Sequence, residues 1–164
     1  MSVKELEILK KAILIEKEGY EFYKIAADKA VETEVKDAFL YLASEEKNHE
    51  SWLRSLYHDI EKQQPISLDV DHLQHLEPST KIFNWENISP ESGSLAVSVF
   101  GIGVNIEKKA IDYYHHAARE TTIPEAKKLY EILIVWETEH LDLFQKNYDL
   151  LKDEWWDTQH FSPA

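Results

Sequence analysis

Two copies of a short acidic and histidine-containing motif recur in this chain. Each copy reads Glu-x-x-His, and each follows an isolated Glu by thirty residues, which gives the six residues Glu16, Glu46, His49, Glu107, Glu137 and His140. Residues three apart on a helix share a face, so the Glu and His of one motif can chelate the same metal ion. The isolated Glu residues can bridge or cap from neighbouring helices. The sequence therefore predicts a two-metal site of four carboxylates and two imidazoles.

The surroundings of the motifs favour a buried site. Leu42 and Leu53 lie one helical turn outside the first motif, and Leu133 and Phe144 flank the second in the same way. Four buried carboxylates would repel one another and lose hydration, whereas two divalent cations would neutralise them. Oxygen-rich ligation with two imidazoles suits iron or manganese, and zinc or a mixed pair remains an alternative. A single Glu-x-x-His is more often a surface Glu and a core His, but the matched repetition favours the metal site.

Four long segments with helical periodicity must position these residues. We predict helices at about 3–31, 34–61, 90–119 and 123–151, within a single domain spanning 1–164. Short links join the helices in pairs, which makes each pair an antiparallel hairpin. The intervening linker, about 63–88, is long enough to cross a helix of about 44 Å. The predicted fold is all-α, a ferritin-like four-helix bundle of two antiparallel hairpins joined by a long crossover; the linker could instead carry one hairpin to a second subunit.

The two halves of the chain also resemble each other. When Glu16 is placed over Glu107, residues 16–53 and 107–144 agree at ten of 38 positions. Roughly two or three matches would be expected by chance. A duplicated hairpin explains the agreement, and it predicts a site on a pseudo-two-fold axis between the halves.

Composition excludes several classes of function. The formal net charge of −13 disfavours binding to nucleic acid and to anionic membranes. The absence of Cys excludes thiolate catalysis and Cys-ligated metal centres within the chain. The N-terminus lacks the apolar core of a signal peptide, and no stretch approaches the roughly 18 apolar residues that span a bilayer. We therefore expect a soluble, cytoplasmic protein.

The motifs and their neighbours resemble the rubrerythrin-like branch of the ferritin-like di-iron carboxylate superfamily. The likeness covers about residues 3–151 outside the linker, and it includes the run 16–23 (EKEGYEFY), the pairs 26–27 and 117–118 (both AA), and both Glu-x-x-His motifs. The resemblance implies that the six motif residues ligate two irons, and that peroxide or dioxygen is reduced by electrons from a partner. Because the chain has no Cys, the donor would be a separate protein. Rubrerythrins also carry a second Glu three residues after the third-helix Glu, where this chain has Ala110; peroxide turnover is therefore expected to be slow.

Two tyrosines are predicted to assist the site. Tyr23 and Tyr114 lie seven residues after Glu16 and Glu107, hence on the same helix faces. Their hydroxyls could orient metal-bound carboxylates during catalysis. The alternative is a pair of core aromatics with satisfied hydroxyls. The tryptophans, by contrast, are interpreted as core or interface residues.

The function that these features favour is a di-iron oxidoreductase, a peroxidase or ferroxidase, that reduces hydrogen peroxide or dioxygen or oxidises Fe(II). Two alternatives remain open: a non-enzymatic iron-binding or storage protein, and a helical interaction module with a structural metal. We expect a homodimer, with hairpin swapping as an open possibility, and neither nucleic acid nor membrane as a partner.

Overall fold

The computed structural model describes residues 2–77 and 90–158. Four long helices, α1 Ser2–Lys29, α2 Thr33–Glu61, α4 Pro90–Glu120 and α5 Pro124–Thr158, form the bundle, and a short helix, α3 Val70–Leu73, lies between α2 and α4. There is no β-strand in these two ranges. The fold is the predicted all-α ferritin-like bundle.

The helices pack as two hairpins that meet within the one chain. Helix α1 packs along α2, and α4 packs along α5; α1 then contacts α4, and α2 contacts α5. Thr121 shapes the link between α4 and α5, because its hydroxyl oxygen accepts a hydrogen bond from the Ile123 amide at 3.1 Å. Both α4 and α5 begin with a proline, a residue whose fixed φ suits the first turn of a helix.

The helix ends differ modestly from the sequence-based boundaries. Helix α1 ends at Lys29, short of residue 31, whereas α5 continues to Thr158, beyond residue 151. No Gly or Pro occurs between 151 and 158 to stop α5. Helix α2 ends at Glu61, close to Gln63, whose φ of 55° turns the chain out of the helix.

The described part of the crossover follows α5. Asp59 holds its start, since one carboxylate oxygen accepts hydrogen bonds from the amide and the hydroxyl of Ser67, both at 2.8 Å. In α3, Val70 and Leu73 are buried, and the helix packs against α5. The rest of the predicted crossover, 78–89, lies outside the described residues. None of the described helices is long and apolar enough to span a membrane.

Two apolar clusters fill the bundle, and the six motif residues interrupt the core between them. One cluster contains the buried apolar residues within 8–13 of α1, 53–56 of α2, 110–117 of α4 and 126–136 of α5. The other contains those within 23–27 of α1, 35–43 of α2, 96–104 of α4 and 144–151 of α5. Along every long helix, the polar motif residues fall between a segment of one cluster and a segment of the other. The fold therefore places the carboxylates and histidines at mid-bundle, with apolar layers above and below.

Candidate metal centre

The structure brings all six predicted side chains together in the bundle centre. Their donor atoms form two groups, and within each group these atoms lie within 4.8 Å of one another. The first group is Glu16, Glu46, His49 and Glu137; the second is Glu46, Glu107, Glu137 and His140. None of the six is more than 4% exposed. Only these two such groups of His, Asp and Glu occur among the residues that the structure describes.

The two groups share Glu46 and Glu137. These are the glutamates of the two Glu-x-x-His motifs, so each motif contributes to both groups. Glu16 belongs only to the group of His49, and Glu107 only to that of His140. The sequence left open whether Glu16 and Glu107 would bridge two metal ions or cap one. In the structure, each of these two glutamates belongs to one donor group only.

Both histidines direct Nδ1 toward the carboxylates. His49 Nδ1 lies 2.9 Å from Glu137 Oε1 and 3.3 Å from Glu16 Oε2. His140 Nδ1 lies 3.2 Å from Glu137 Oε2 and 3.4 Å from Glu46 Oε1. A neutral imidazole with its Nδ1 lone pair on this side would be a metal ligand from each half of the chain.

Two buried carboxylate oxygens of the centre lack a well-aligned hydrogen bond from the protein. Glu46 Oε1 and Glu137 Oε1, one on each shared carboxylate, accept no well-aligned hydrogen bond, although His140 Nδ1 and His49 Nδ1 lie 3.4 and 2.9 Å from them. Buried carboxylate oxygens without partners are costly, whereas a cation between them offsets the cost. Four carboxylates and two imidazoles fit two divalent ions in charge and in donor type.

The pKa values at the centre reflect its burial and its concentration of carboxylates. Burial, together with the negative charge of Glu137, raises the pKa of Glu107 to about 8. Burial and the other three carboxylates raise the pKa of Glu46 as well. Burial alone would lower the pKa of His49, but the charge of Glu137 and hydrogen bonds to Glu137 and Glu16 raise it to about 10. Glu107 and His49 therefore carry protons near neutral pH.

Comparison with protein-family models adds an independent observation. The model described as Rubrerythrin matches residues 7–148, most of the chain and all six motif residues. The chain belongs to the rubrerythrin family. This family is part of the ferritin-like di-iron superfamily, in agreement with the resemblance that the motifs carry. Comparison with curated proteins and comparison with solved structures gave no match.

In this rubrerythrin-family bundle, the two tyrosines connect the halves across the centre. Tyr23 donates a hydrogen bond to Glu107 Oε1 at 2.6 Å, and Tyr114 donates one to Glu16 Oε1. Each hydroxyl thus holds the unshared Glu of the opposite half. Burial and the nearby carboxylates raise the pKa of both tyrosines well above 10, so both remain hydrogen-bond donors. The reciprocal pattern follows the pseudo-two-fold relation predicted from the repeat.

One buried carboxylate at the centre was not predicted. Glu45 lies beside the motif residue Glu46, and its Oε2 is 2.5 Å from His140 Nε2. Burial alone would raise the pKa of Glu45, but the hydrogen bond and charge of His140 hold it below the ordinary value. Its partner lies 95 residues away, so the only sequence signal was an extra acid directly before a motif.

Small residues lie one helical turn after each unshared glutamate, on the same helix face. Gly19 lies three residues after Glu16, and a Cβ there would stand 3.1 Å from Glu46 Oε2. The corresponding residue of the second half is Ala110, which is 3% exposed within an apolar cluster. The position where rubrerythrins carry an additional Glu is therefore buried and apolar here.

Proposed function

We propose that this chain is a di-iron carboxylate oxidoreductase that reduces hydrogen peroxide or dioxygen, or oxidises Fe(II). The observation that carries the proposal is the pair of buried donor groups that share Glu46 and Glu137. Shared carboxylates are suited to hold two ions side by side, the arrangement of bridged two-metal sites. A manganese pair, a zinc pair or a mixed pair would use the same donors.

The proposed ligands are the six motif residues. Glu16 and His49 would hold one ion, Glu107 and His140 the other, and the two shared carboxylates would contact both. When bound, two Fe(II) ions would supply the two electrons that peroxide reduction requires.

The remaining contributions come from residues around the ligands. The hydroxyls of Tyr23 and Tyr114 would keep the unshared carboxylates oriented toward the ions. The apolar clusters above and below would limit the access of water and strengthen the electrostatic interactions within the centre.

The proposed partners follow from the same chemistry. Peroxide, dioxygen or Fe(II) is the small substrate. Because this chain has no Cys for a Cys-ligated electron relay, we propose a separate electron-donor protein. We also propose a homodimer in the cytoplasm, with exchange of hairpins between subunits as an alternative.

Anaerobic loading with Fe(II) followed by stopped-flow mixing with peroxide or dioxygen tests the proposal. The wild-type chain should bind about two Fe(II), and the near-ultraviolet absorbance of Fe(III) should rise after mixing. Glu137→Gln removes the charge of a shared carboxylate and should slow oxidation by at least about tenfold, the scale seen even for partners of metal ligands.

Glu139→Gln is the matched control, since Glu139 is exposed and lies within the same motif. It should oxidise as fast as the wild type. Equal rates for Glu137→Gln and wild type would contradict the proposal. Two bound Fe(II) ions that neither peroxide nor dioxygen oxidises would instead indicate an iron-binding or structural role.

A further inference from the structure

We propose that Glu45 is a positioning residue for His140, and that it makes the two halves of the metal centre unequal. The subsite of Glu107 and His140 then binds a divalent ion more tightly than the subsite of Glu16 and His49. This inference rests on the proposed two-metal centre, but it does not depend on which redox reaction follows.

The contact between Glu45 and His140 fixes the histidine ring. Glu45 Oε2 lies 2.5 Å from His140 Nε2, and the two side chains are 6% and 4% exposed. A carboxylate at this position accepts the Nε2 hydrogen, which leaves the Nδ1 lone pair toward the shared carboxylates. A carboxylate that accepts the outer N–H of a ligating histidine orients the ring and increases its basicity.

His49 has no such support. Its Nε2 is buried and has no hydrogen-bond partner. The ring instead lies between two tryptophans, with its centroid 5.2 Å from that of Trp52 and 5.3 Å from that of Trp136. Aromatic packing restricts the ring but accepts no strong hydrogen bond from Nε2.

The internal repeat shows where the halves diverge. Glu45 and Trp136 each directly precede the Glu of a Glu-x-x-His motif, so they occupy equivalent positions in the duplicated hairpin. The residue of the first half supports His140 with a carboxylate, and that of the second half packs an indole against His49. The support of the two histidines thus differs at this position of the repeat, whereas the six proposed ligands and the two tyrosines are paired between the halves.

Binding of Mn(II) alone tests the inequality, with free Mn(II) measured by its six-line EPR signal. His49→Ala leaves the subsite of His140, and His140→Ala leaves that of His49. The His49→Ala variant should bind its first Mn(II) more tightly than His140→Ala does. Adding Glu45→Ala should weaken binding by about 10–100-fold in the His49→Ala background, and much less in the His140→Ala background.

Glu45→Gln separates positioning from a general effect of charge. The amide oxygen of Gln can still accept the Nε2 hydrogen, so this variant should recover part of the affinity in the His49→Ala background. Circular dichroism of each variant at the titration temperature establishes that it is folded; if Glu45→Ala is not, Glu45→Gln carries the comparison, with a smaller loss expected in the His49→Ala background alone.

Equal losses in both single-histidine backgrounds would overturn the positioning role, and so would no loss in either. Failure of the proposed oxidoreductase function would give a different result. The wild type would then bind two Mn(II) with the predicted inequality, yet its Fe(II) form would not react with peroxide or dioxygen.

Discussion

Replacing Tyr23 by Phe would remove one hydroxyl from the bundle centre while leaving the aromatic ring. The ring packs against Phe22 and Phe144, with centroids 5.4 and 5.7 Å away, so these contacts would persist. What is lost is the 2.6 Å hydrogen bond to Glu107 Oε1, which connects α1 of one hairpin to α4 of the other. Both residues are at most 1% exposed, and water would not readily replace the donor.

The expected cost depends on the charge of Glu107. With metal bound, the carboxylate is ionised, and a hydrogen bond to a charged group contributes about 1.5–3 kcal/mol. For a chain of this size, 1 kcal/mol corresponds to about 2–4 °C, so the melting temperature should fall by roughly 3–12 °C. Without metal at pH 7, Glu107 with its pKa of about 8 is largely protonated. The loss should then be that of a neutral hydrogen bond, about 0.5–1.5 kcal/mol.

Thermal unfolding followed by circular dichroism measures this cost, and Mn(II) titration measures its effect on the site. Tyr130→Phe is the control, because the Tyr130 hydroxyl also donates to a buried carboxylate, Glu5 Oε1 at 2.8 Å, outside both donor groups. Both variants should lose stability, but only Tyr23→Phe should weaken Mn(II) binding, by about 10–100-fold. Unchanged affinity in Tyr23→Phe, or an equal loss in Tyr130→Phe, would refute the role assigned to Tyr23.

Three further predictions concern the metal-free centre and its small residues. Glu107 and His49 have pKa values of about 8 and 10 when folded, each above its unfolded value, so their contribution to stability is lost as pH rises through those values. The melting temperature of chelator-treated protein should therefore fall progressively from neutral pH to about pH 10, and this fall should be larger than that of metal-loaded protein. A melting temperature of chelator-treated protein that does not change over this pH range would contradict the pKa shifts. Ala110→Glu adds a fifth buried carboxylate, so thermal unfolding should show lower stability while stopped-flow mixing shows faster peroxide oxidation of the di-iron(II) form; a wild type that already reacts as fast would show that the Ala110 reasoning is wrong. Gly19→Ala should increase helix stability by up to about 1 kcal/mol. It should also weaken Mn(II) binding, because the new Cβ would lie only 3.1 Å from Glu46 Oε2 and would push that carboxylate aside. Unchanged Mn(II) binding would show that the position of Glu46 does not depend on a glycine at residue 19.

Sequence alone predicted the fold because the determining patterns are local. The three-residue spacing of Glu46 and His49 is a property of one helix turn, and its repetition at Glu137 and His140 needs no knowledge of tertiary structure. Link lengths then determine which helices form hairpins. The bundle and the position of its polar centre follow from these patterns.

Contacts between the hairpins were harder to predict. A step of seven residues is about 10 Å along a helix, so Tyr23 is too far along α1 to serve Glu16, and it meets Glu107 of α4 instead. The sequence predicted that these tyrosines orient carboxylates but not which ones. Glu45 gave still less signal, because an acid in a charged helix is usually exposed, and only the position of α5 reveals its contact with His140.

The role assigned to the bundle centre depends on two metal ions held by the six motif residues. The most direct test is a crystal structure of protein loaded anaerobically with Mn(II) or Fe(II), with anomalous difference maps recorded on both sides of the metal absorption edge. We predict two peaks per chain, roughly 3.5–4 Å apart, one beside Glu16 and His49 and the other beside Glu107 and His140, with Glu46 and Glu137 contacting both. A metal-saturated crystal with no peak in this cluster, or with a single peak on one side of it, would contradict a two-metal centre.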